Sequence, residues 1–166
     1  MKSITPTPLT MENFKFYGSY SNMINPTNCP KLGAEPCEFY RDMNILELGT
    51  STSVAFSVTR ACKRPMIINN MEFHRTTGEG ILPIDADIVM QLAPASKADY
   101  PNVDEIVAFI IPKGTMVTLR PGVWHAGSFA YQADVVNMLV ALPERIYSDD
   151  CFVQPLKEQD VIEIKI

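Results

Sequence analysis

After residue 43, hydrophobic and polar residues alternate with a period of two through most of the chain. Short runs rich in Val, Ile, Thr and Phe follow one another there, separated by Gly, Pro or Asp. The runs are NILELG, TSVAFSVTRA, PMIINNMEFH, GILPI, ADIVMQLAP, GTMVTLRP, GVWHAG, ADVVNMLVALP and DVIEIKI. Short strands at this close spacing predict an all-β sandwich or barrel over residues 44–166.

Residues 1–43 have a different pattern, which predicts one short helix followed by an irregular arm. In PLTMENFKFYG, Thr10 is a suitable N-cap, and Phe14 and Tyr17 fall on one helical face. Pro, Asn, Gly and Ser then recur through residues 18–43, which predicts an irregular connection. Further along, the apolar residues of NVDEIVAFI have helical spacing, so this segment is either a brief helix or the beginning of a strand.

Length and composition indicate one β-rich domain. A chain of 166 residues is long enough to bury a continuous core without a disulfide or a structural metal. The 13 prolines are spread along the chain and favour a loop-rich β protein over a helical bundle. A net charge of -5 and a pI near 5.0 argue against a nucleic-acid partner, because such proteins usually carry a basic patch.

The apolar runs and the cysteines bear on the cell compartment. No run is long enough for a transmembrane helix or a signal-peptide core, so we expect a cytoplasmic protein with no membrane partner. The 4 cysteines show no CxxC spacing, which removes the sequence support for a zinc ribbon or a thioredoxin-type motif. We expect reduced thiols with mostly structural roles.

The 2 histidines lie in two separated polar stretches, MEFHRTTGEGILPI and RPGVWHAG. If the first stretch begins as a strand, alternation directs Glu72 and His74 to the same face. In the second stretch, His125 lies on the face opposite to Trp124, after a Pro-Gly turn. Polar side chains inside a small barrel cost free energy unless they are hydrogen-bonded or bound to a metal. The two stretches are therefore candidates for one site.

These stretches resemble the two metal-binding motifs of the cupins. The first resembles HxH followed by Glu, with Glu72 in place of the first histidine and with His74 and Glu79 matching the rest. The second resembles the motif that ends in a single histidine, here His125. The resemblance implies a cupin-type β-barrel (double-stranded β-helix) in which these four residues bind a divalent transition metal, namely Ni, Mn, Fe or Zn.

More narrowly, the chain resembles the ureidoglycolate lyase family of cupins. PLTMENFKFYGSY is similar to that family's PLT..FA.FGDVI, MEFHRTTGEGILPI to ME.HPLGSQAFIPL, and LRPGVWHAG to..GVWHHPL. The resemblance implies a homodimer that cleaves ureidoglycolate, a small-molecule substrate, to glyoxylate and urea during allantoin degradation in purine catabolism. Glu72 or Glu79 would be the catalytic base, and Arg120 is a candidate to bind the substrate carboxylate.

Three departures from the family pattern lie in these motifs. Glu79 replaces the usual glutamine, Ile81 replaces an aromatic residue, and Ala126 replaces the second histidine of WHH. The additional carboxylate of Glu79 should weaken binding of a dianionic transition state and strengthen binding of a divalent cation.

Other interpretations of the same residues remain open. Two histidines and a carboxylate are also the ligands of non-haem Fe(II) oxygenases, so a cupin dioxygenase or a metal-dependent isomerase is an alternative enzyme. A cupin that binds a small acid without catalysis is a further alternative. If His74 and His125 point into separate environments, MEFHRTTGEG is only a strand with one polar face.

Overall fold

The computed structural model describes residues 1–27 and 29–166. Its helices are α1 (Met11–Phe14) and α2 (Ile146–Asp149), and its 3-10 turns are Val103–Glu105 and Glu158–Asp160. Its strands are β1 (Lys2–Ile4), β2 (Gly18–Asn22), β3 (Lys31–Ala34), β4 (Cys37–Tyr40), β5 (Val54–Cys62), β6 (Ile67–Ile68), β7 (Asn70–Phe73), β8 (Glu79–Pro83), β9 (Ile88–Ala93), β10 (Val107–Ile111), β11 (Thr115–Leu119), β12 (Trp124–His125), β13 (Phe129–Ala130), β14 (Val135–Pro143), β15 (Phe152–Pro155) and β16 (Ile162–Ile164). In this part of the chain, neither helix is long or apolar enough to cross a lipid bilayer.

Two antiparallel sheets form the barrel. One has five strands in the order β2-β11-β8-β14-β5, and the other has the order β10-β9-β12-β7-β15, with β13 also paired to β9. A small sheet with the order β1-β16-β6 and a hairpin of β3 and β4 complete the strands. The predicted all-β class, with a cupin-type barrel and a short N-terminal helix, is confirmed.

The hydrophobic core has two main parts, one on each side of the sheet that contains β9. Met90 and Leu92 of β9 pack between the two barrel sheets, against residues such as Val117 and Met138. The alternate residues of β9 pack on the outer side, where the small sheet covers them. Burial on both faces explains why this strand is an almost continuous apolar run.

The predicted N-terminal helix is present as α1. The Thr10 hydroxyl accepts a hydrogen bond from the backbone N–H of Asn13, which is the predicted N-cap contact. Phe14 is buried, and its ring lies edge-on to that of Phe109 at 5.2 Å between centroids. The chain then enters β2 at Gly18, where any Cβ would lie 1.8 Å from the Thr118 carbonyl oxygen. Glycine is required there by close backbone packing.

Two details of the predicted elements are wrong. Residues 18–43 are not an irregular arm, because β2 pairs with β11 of the barrel and β3 pairs with β4. NILELG forms no strand. Of the two alternatives for NVDEIVAFI, the beginning of a strand is confirmed, because β10 follows the 3-10 turn. The strand β2 could not be predicted because its sequence is polar. Contacts with β11 stabilise it, such as the hydrogen bond of 2.8 Å between the Ser19 and Thr118 hydroxyls.

Candidate metal centre and active site

Strands from both barrel sheets bring the predicted polar residues together. In one sheet, β12 pairs with β7 so that His125 is directly opposite Glu72. Met71 and Trp124 both pack in the outer part of the core, so alternation directs Glu72 and His125 into the barrel. Glu79 begins β8 in the other sheet and approaches from the opposite side.

Three of the side chains form a compact cluster. The Nε2 atom of His125 lies 2.6 Å from Oε2 of Glu79, and Nε2 of His74 lies 3.5 Å from the same oxygen. One ligand atom from each of these residues lies within 4.8 Å of the others. Donors bound at right angles to a metal at about 2.1 Å are roughly 3 Å apart, and the two distances to Oε2 of Glu79 lie on either side of that value. The alternative in which the histidines point into separate environments is wrong.

Hydrogen bonds orient both imidazoles. The Nδ1–H of His74 donates to the Asp150 carbonyl over 2.6 Å, and the Nδ1–H of His125 donates to the Val123 carbonyl over 2.9 Å. Because the proton of each neutral ring is held at Nδ1, the lone pair of each Nε2, close to Oε2 of Glu79, stays free for another ligand. Such a bond to the far ring nitrogen is the usual support for a metal-binding histidine.

The buried charges of Glu79 and His125 depend on each other. Burial alone would raise the pKa of Glu79, but the positive charge of His125 lowers it to about 2. Burial alone would lower the pKa of His125, but the negative charge of Glu79 raises it to about 9. A proton on His125 therefore neutralises the cluster when no other cation is bound.

The cluster also fits a metal ion. Glu79 Oε2 and His125 Nε2 are both buried, and neither atom has a hydrogen-bond partner of acceptable geometry in the described part of the chain. Buried polar atoms of this kind are rare in proteins and require a partner. A divalent ion bound by both residues would satisfy both atoms. Imidazole and carboxylate donors without a thiolate suit Zn, Fe, Mn or Ni.

Glu72 lies at the edge of this cluster, beside a small cavity. Its Oε1 is 4.0 Å from Nε2 of His125, and its side chain is 31% exposed. The cavity has a volume of about 70 Å³ and is lined by both barrel sheets. Its lining residues are Thr59, Glu72, Glu79, Ile81, His125, Ala126, Gly127, Ser128, Met138 and Val140. Glu72 is therefore available to a small molecule that enters beside the histidines.

Arg120 is not part of this arrangement. Its guanidinium donates to the carbonyl of Lys15, its backbone N–H donates to Tyr17, and the residue is exposed. It is absent from the described lining of the cavity. The structure thus brings together Glu72, His74, Glu79 and His125 but leaves Arg120 outside, where a role in binding the substrate carboxylate stays a prediction.

Three residues that support the site were not predicted. Asp150 accepts the His74 hydrogen bond, while Arg64 and Gln91 both donate to the carbonyl of Gly127 in the cavity wall, over 3.0 and 3.3 Å. They are distant in sequence from the segments that they contact and carry no motif. No local signal in the sequence identifies them.

Comparison with known proteins places this site in a family. The family model described as Ureidoglycolate lyase matches residues 1–163. The chain belongs to the ureidoglycolate lyase family. Proteins named ureidoglycolate lyase from Escherichia coli and from Shigella boydii serotype 18 are each 26% identical over 156 residues, covering 93% of this chain and 94% of the relative. A solved dTDP sugar isomerase from Desulfovibrio desulfuricans is similar at 13% identity and a TM-score of 0.49, with 86% of each chain covered.

The departures from the family pattern fall at the centre of the site. Glu79, where the resembled motif has glutamine, contacts both histidines. Ala126, which replaces a histidine, lies in the cavity wall directly after His125. Glu79 thus contributes a buried carboxylate to the cluster, and Ala126 leaves a small apolar side chain in the wall.

Proposed function

We propose that this protein is a metal-dependent ureidoglycolate lyase that cleaves ureidoglycolate, or a related small hydroxy acid, to glyoxylate and urea. The observation that carries the proposal is the buried cluster of His74, Glu79 and His125 beside a small cavity, in a chain that matches the family over residues 1–163. Purine catabolism, with degradation of allantoin, is the metabolic context that follows from this activity.

The charge of the cavity supports a bound cation. Two carboxylates, Glu72 and Glu79, line it, and the described lining contains no Lys or Arg. An anionic substrate would be repelled by these carboxylates unless a positive charge lay between them. His74, Glu79 and His125 would hold a divalent metal, whose positive charge would attract the anionic substrate and lower the pKa of its hydroxyl.

Glu72 is then the residue left to move protons. In the proposed reaction, its carboxylate removes the proton from the hydroxyl of ureidoglycolate, and the oxygen electrons form the carbonyl of glyoxylate. The bond between this carbon and the ureido nitrogen breaks, with its electron pair passing to nitrogen. Glu72 returns the same proton to that nitrogen, which completes urea. Atoms and charge balance without another reactant.

A Glu72→Gln variant tests this role. Its kcat for release of urea should fall by about 100-fold to 10,000-fold, the usual contribution of a general base, while metal affinity changes little. Glu158→Gln, which removes the same charge at an exposed position, is the control and should retain activity. If metal-loaded wild-type protein releases neither glyoxylate nor urea from ureidoglycolate, the proposed function is wrong.

A second candidate function is supported by the same ligand set. Two histidines and one carboxylate with open positions are the ligands of non-haem Fe(II) oxygenases. Oxygen consumption by Fe(II)-loaded protein with small hydroxy acids would support a dioxygenase, whereas conversion without oxygen would support an isomerase. A small acid that binds without any turnover would support the non-catalytic alternative.

The assembly and location of the protein are part of the proposal. The family resemblance supports a homodimer, and a cytoplasmic location is proposed with it. An edge strand with exposed apolar residues offers a surface for the dimer, because β5 ends the five-stranded sheet and exposes Phe56 and Val58.

A further inference from the structure

Asp150, the residue that follows α2, is bonded to the segment that begins at His74. Its backbone carbonyl accepts the His74 Nδ1–H over 2.6 Å. Its carboxylate accepts the backbone N–H groups of Arg75 and Thr76 over 2.7 and 2.8 Å, and the Thr76 hydroxyl over 2.7 Å. One residue thus holds both the imidazole of His74 and the backbone that follows it.

Asp150 is held in a fixed position by its surroundings. It is 9% exposed, and its backbone N–H donates to the carbonyl of Ile146. Ile146 is itself buried against Val140 and Leu142 at the end of β14. The bonds from Asp150 therefore connect His74 to the core rather than to a mobile surface group.

The two histidines of the cluster differ in how they are oriented. His125 donates to the carbonyl of Val123, which lies two residues away in the same segment. His74 instead donates to a carbonyl 76 residues away in sequence. The orientation of His125 is set locally, whereas that of His74 depends on the position of Asp150.

We propose that Asp150 is a positioning residue for the metal centre, which fixes the tautomer and orientation of His74 through its carbonyl and holds that carbonyl in place through its carboxylate. This inference rests on the metal site of the proposed function. Without the three carboxylate bonds, the turn at residue 150 separates from residues 75 and 76, and the Nδ1–H of His74 loses its acceptor. The proton of His74 is then no longer held at Nδ1, so its Nε2 lone pair is no longer kept free for a metal ion.

Metal binding is the first test. Titration of metal-free protein with Zn²⁺ should show a 10-fold to 100-fold weaker affinity for Asp150→Ala, the usual effect of removing a group that supports a metal ligand. Thr76→Val, which removes one of the three carboxylate bonds, should show a smaller loss. Asp149→Asn is the matched control, because Asp149 is the adjacent acid but is exposed, and its affinity should equal that of the wild type.

Nitrogen-15 NMR of the imidazoles is the second test, and the chain has only 2 histidines to assign. In metal-free protein at about pH 10, above the pKa of about 9 of His125, each ring should carry a proton on Nδ1. In Asp150→Ala, His74 should become a mixture of the Nδ1–H and Nε2–H tautomers while His125 is unchanged. A role in folding alone would not produce this selective change.

The proposal is overturned if Asp150→Ala weakens Zn²⁺ binding no more than Asp149→Asn, or if the tautomer of His74 does not change. If Asp150→Ala does not fold, Asp150→Asn is measured in the same two ways, because its amide cannot accept all three bonds. Neither measurement uses ureidoglycolate. A failure of the lyase assay therefore leaves this proposal standing, and a failure here leaves the proposed reaction standing.

Discussion

Glu79 contacts both histidines of the cluster. Glu79→Gln keeps the shape of the side chain but removes the negative charge that a divalent metal requires. We expect its affinity for Mn²⁺ or Zn²⁺ to fall by more than about 100-fold, beyond the usual effect of a supporting residue. Isothermal titration measures this change.

Two comparisons control the Glu79 experiment. Glu158→Gln removes an exposed carboxylate and should leave the affinity unchanged. His74→Ala and His125→Ala should each reduce metal occupancy strongly, because each removes one ligand of the cluster. Equal metal affinity in Glu79→Gln and the wild type would show that Glu79 is not a ligand.

The charge pair at the centre of the site predicts how pH changes the stability of metal-free protein. The folded-state pKa of His125 is raised to about 9 from an ordinary 6.5, so its stabilisation is complete below pH 6.5 and is lost as pH rises through 9. Because the pKa of Glu79 is lowered to about 2, its carboxylate stays negatively charged throughout this interval. Urea unfolding should show decreasing stability of the metal-free protein between pH 6.5 and 9.

Metal affinity should increase over the same pH interval in which the metal-free protein loses stability. Because metal binding requires neutral imidazoles, the affinity for Zn²⁺ rises as His125 loses its proton, and acid releases the metal. In His125→Gln, the decrease in the stability of metal-free protein between pH 6.5 and 9 should be absent. A metal-free wild type whose stability is constant over this interval would contradict the proposed charge pair.

At the scale of elements, the two residues of β12 have different roles because their side chains lie on opposite faces of the sheet. Trp124 contributes to stability, and His125 belongs to the proposed metal site. Trp124 is 1% exposed, packs 4.5 Å from the ring of Phe73, and donates from Nε1 to the Ser96 hydroxyl. Trp124→Phe loses this bond and leaves a cavity, so the free energy of unfolding should fall by about 1–3 kcal/mol. Metal affinity should change little, because His125 faces the other side of the sheet. Chemical denaturation and metal titration measure the two effects separately.

The control for Trp124 is Phe16→Leu, a change at an exposed aromatic residue that should leave stability nearly unchanged. If Trp124→Phe reduces metal affinity as strongly as it reduces stability, the two faces of β12 are not independent.

At the scale of the whole molecule, the exposed edge of β5 predicts a homodimer. Phe56 and Val58 are 67% and 62% exposed on this strand, and an uncovered apolar edge promotes association. A second copy can cover the same surface by two-fold symmetry. Light scattering at micromolar concentration should give twice the 18.5 kDa mass of the chain.

Phe56→Lys should shift the protein to a monomer, because it places a charge in the dimer contact. Phe39→Lys is the matched control, since Phe39 is 61% exposed on the separate hairpin of β3 and β4. A monomeric wild type would rule out the homodimer, and a dimer that survives Phe56→Lys would place the interface elsewhere.

Local geometry explains which features could be predicted from the sequence. Side chains alternate along any strand, so the period-two runs predicted most strands of the barrel and placed Glu72 and Trp124 on the correct faces. The helix α1 was also predictable from local sequence, because an N-cap such as Thr10 acts within one turn. The sequence also predicted that His74 and His125 meet, through their match to family motifs.

Features that depend on contacts between distant segments were decided only by the tertiary structure. The polar strand β2 exists because β11 provides its partners, and Arg120 lies outside the cavity because its guanidinium binds the Lys15 carbonyl. Asp150 reaches His74 because β15, the next strand, pairs with β7. The free energy of such a contact depends on the packing of the whole chain, so neither the residue type nor its neighbours in sequence determine it.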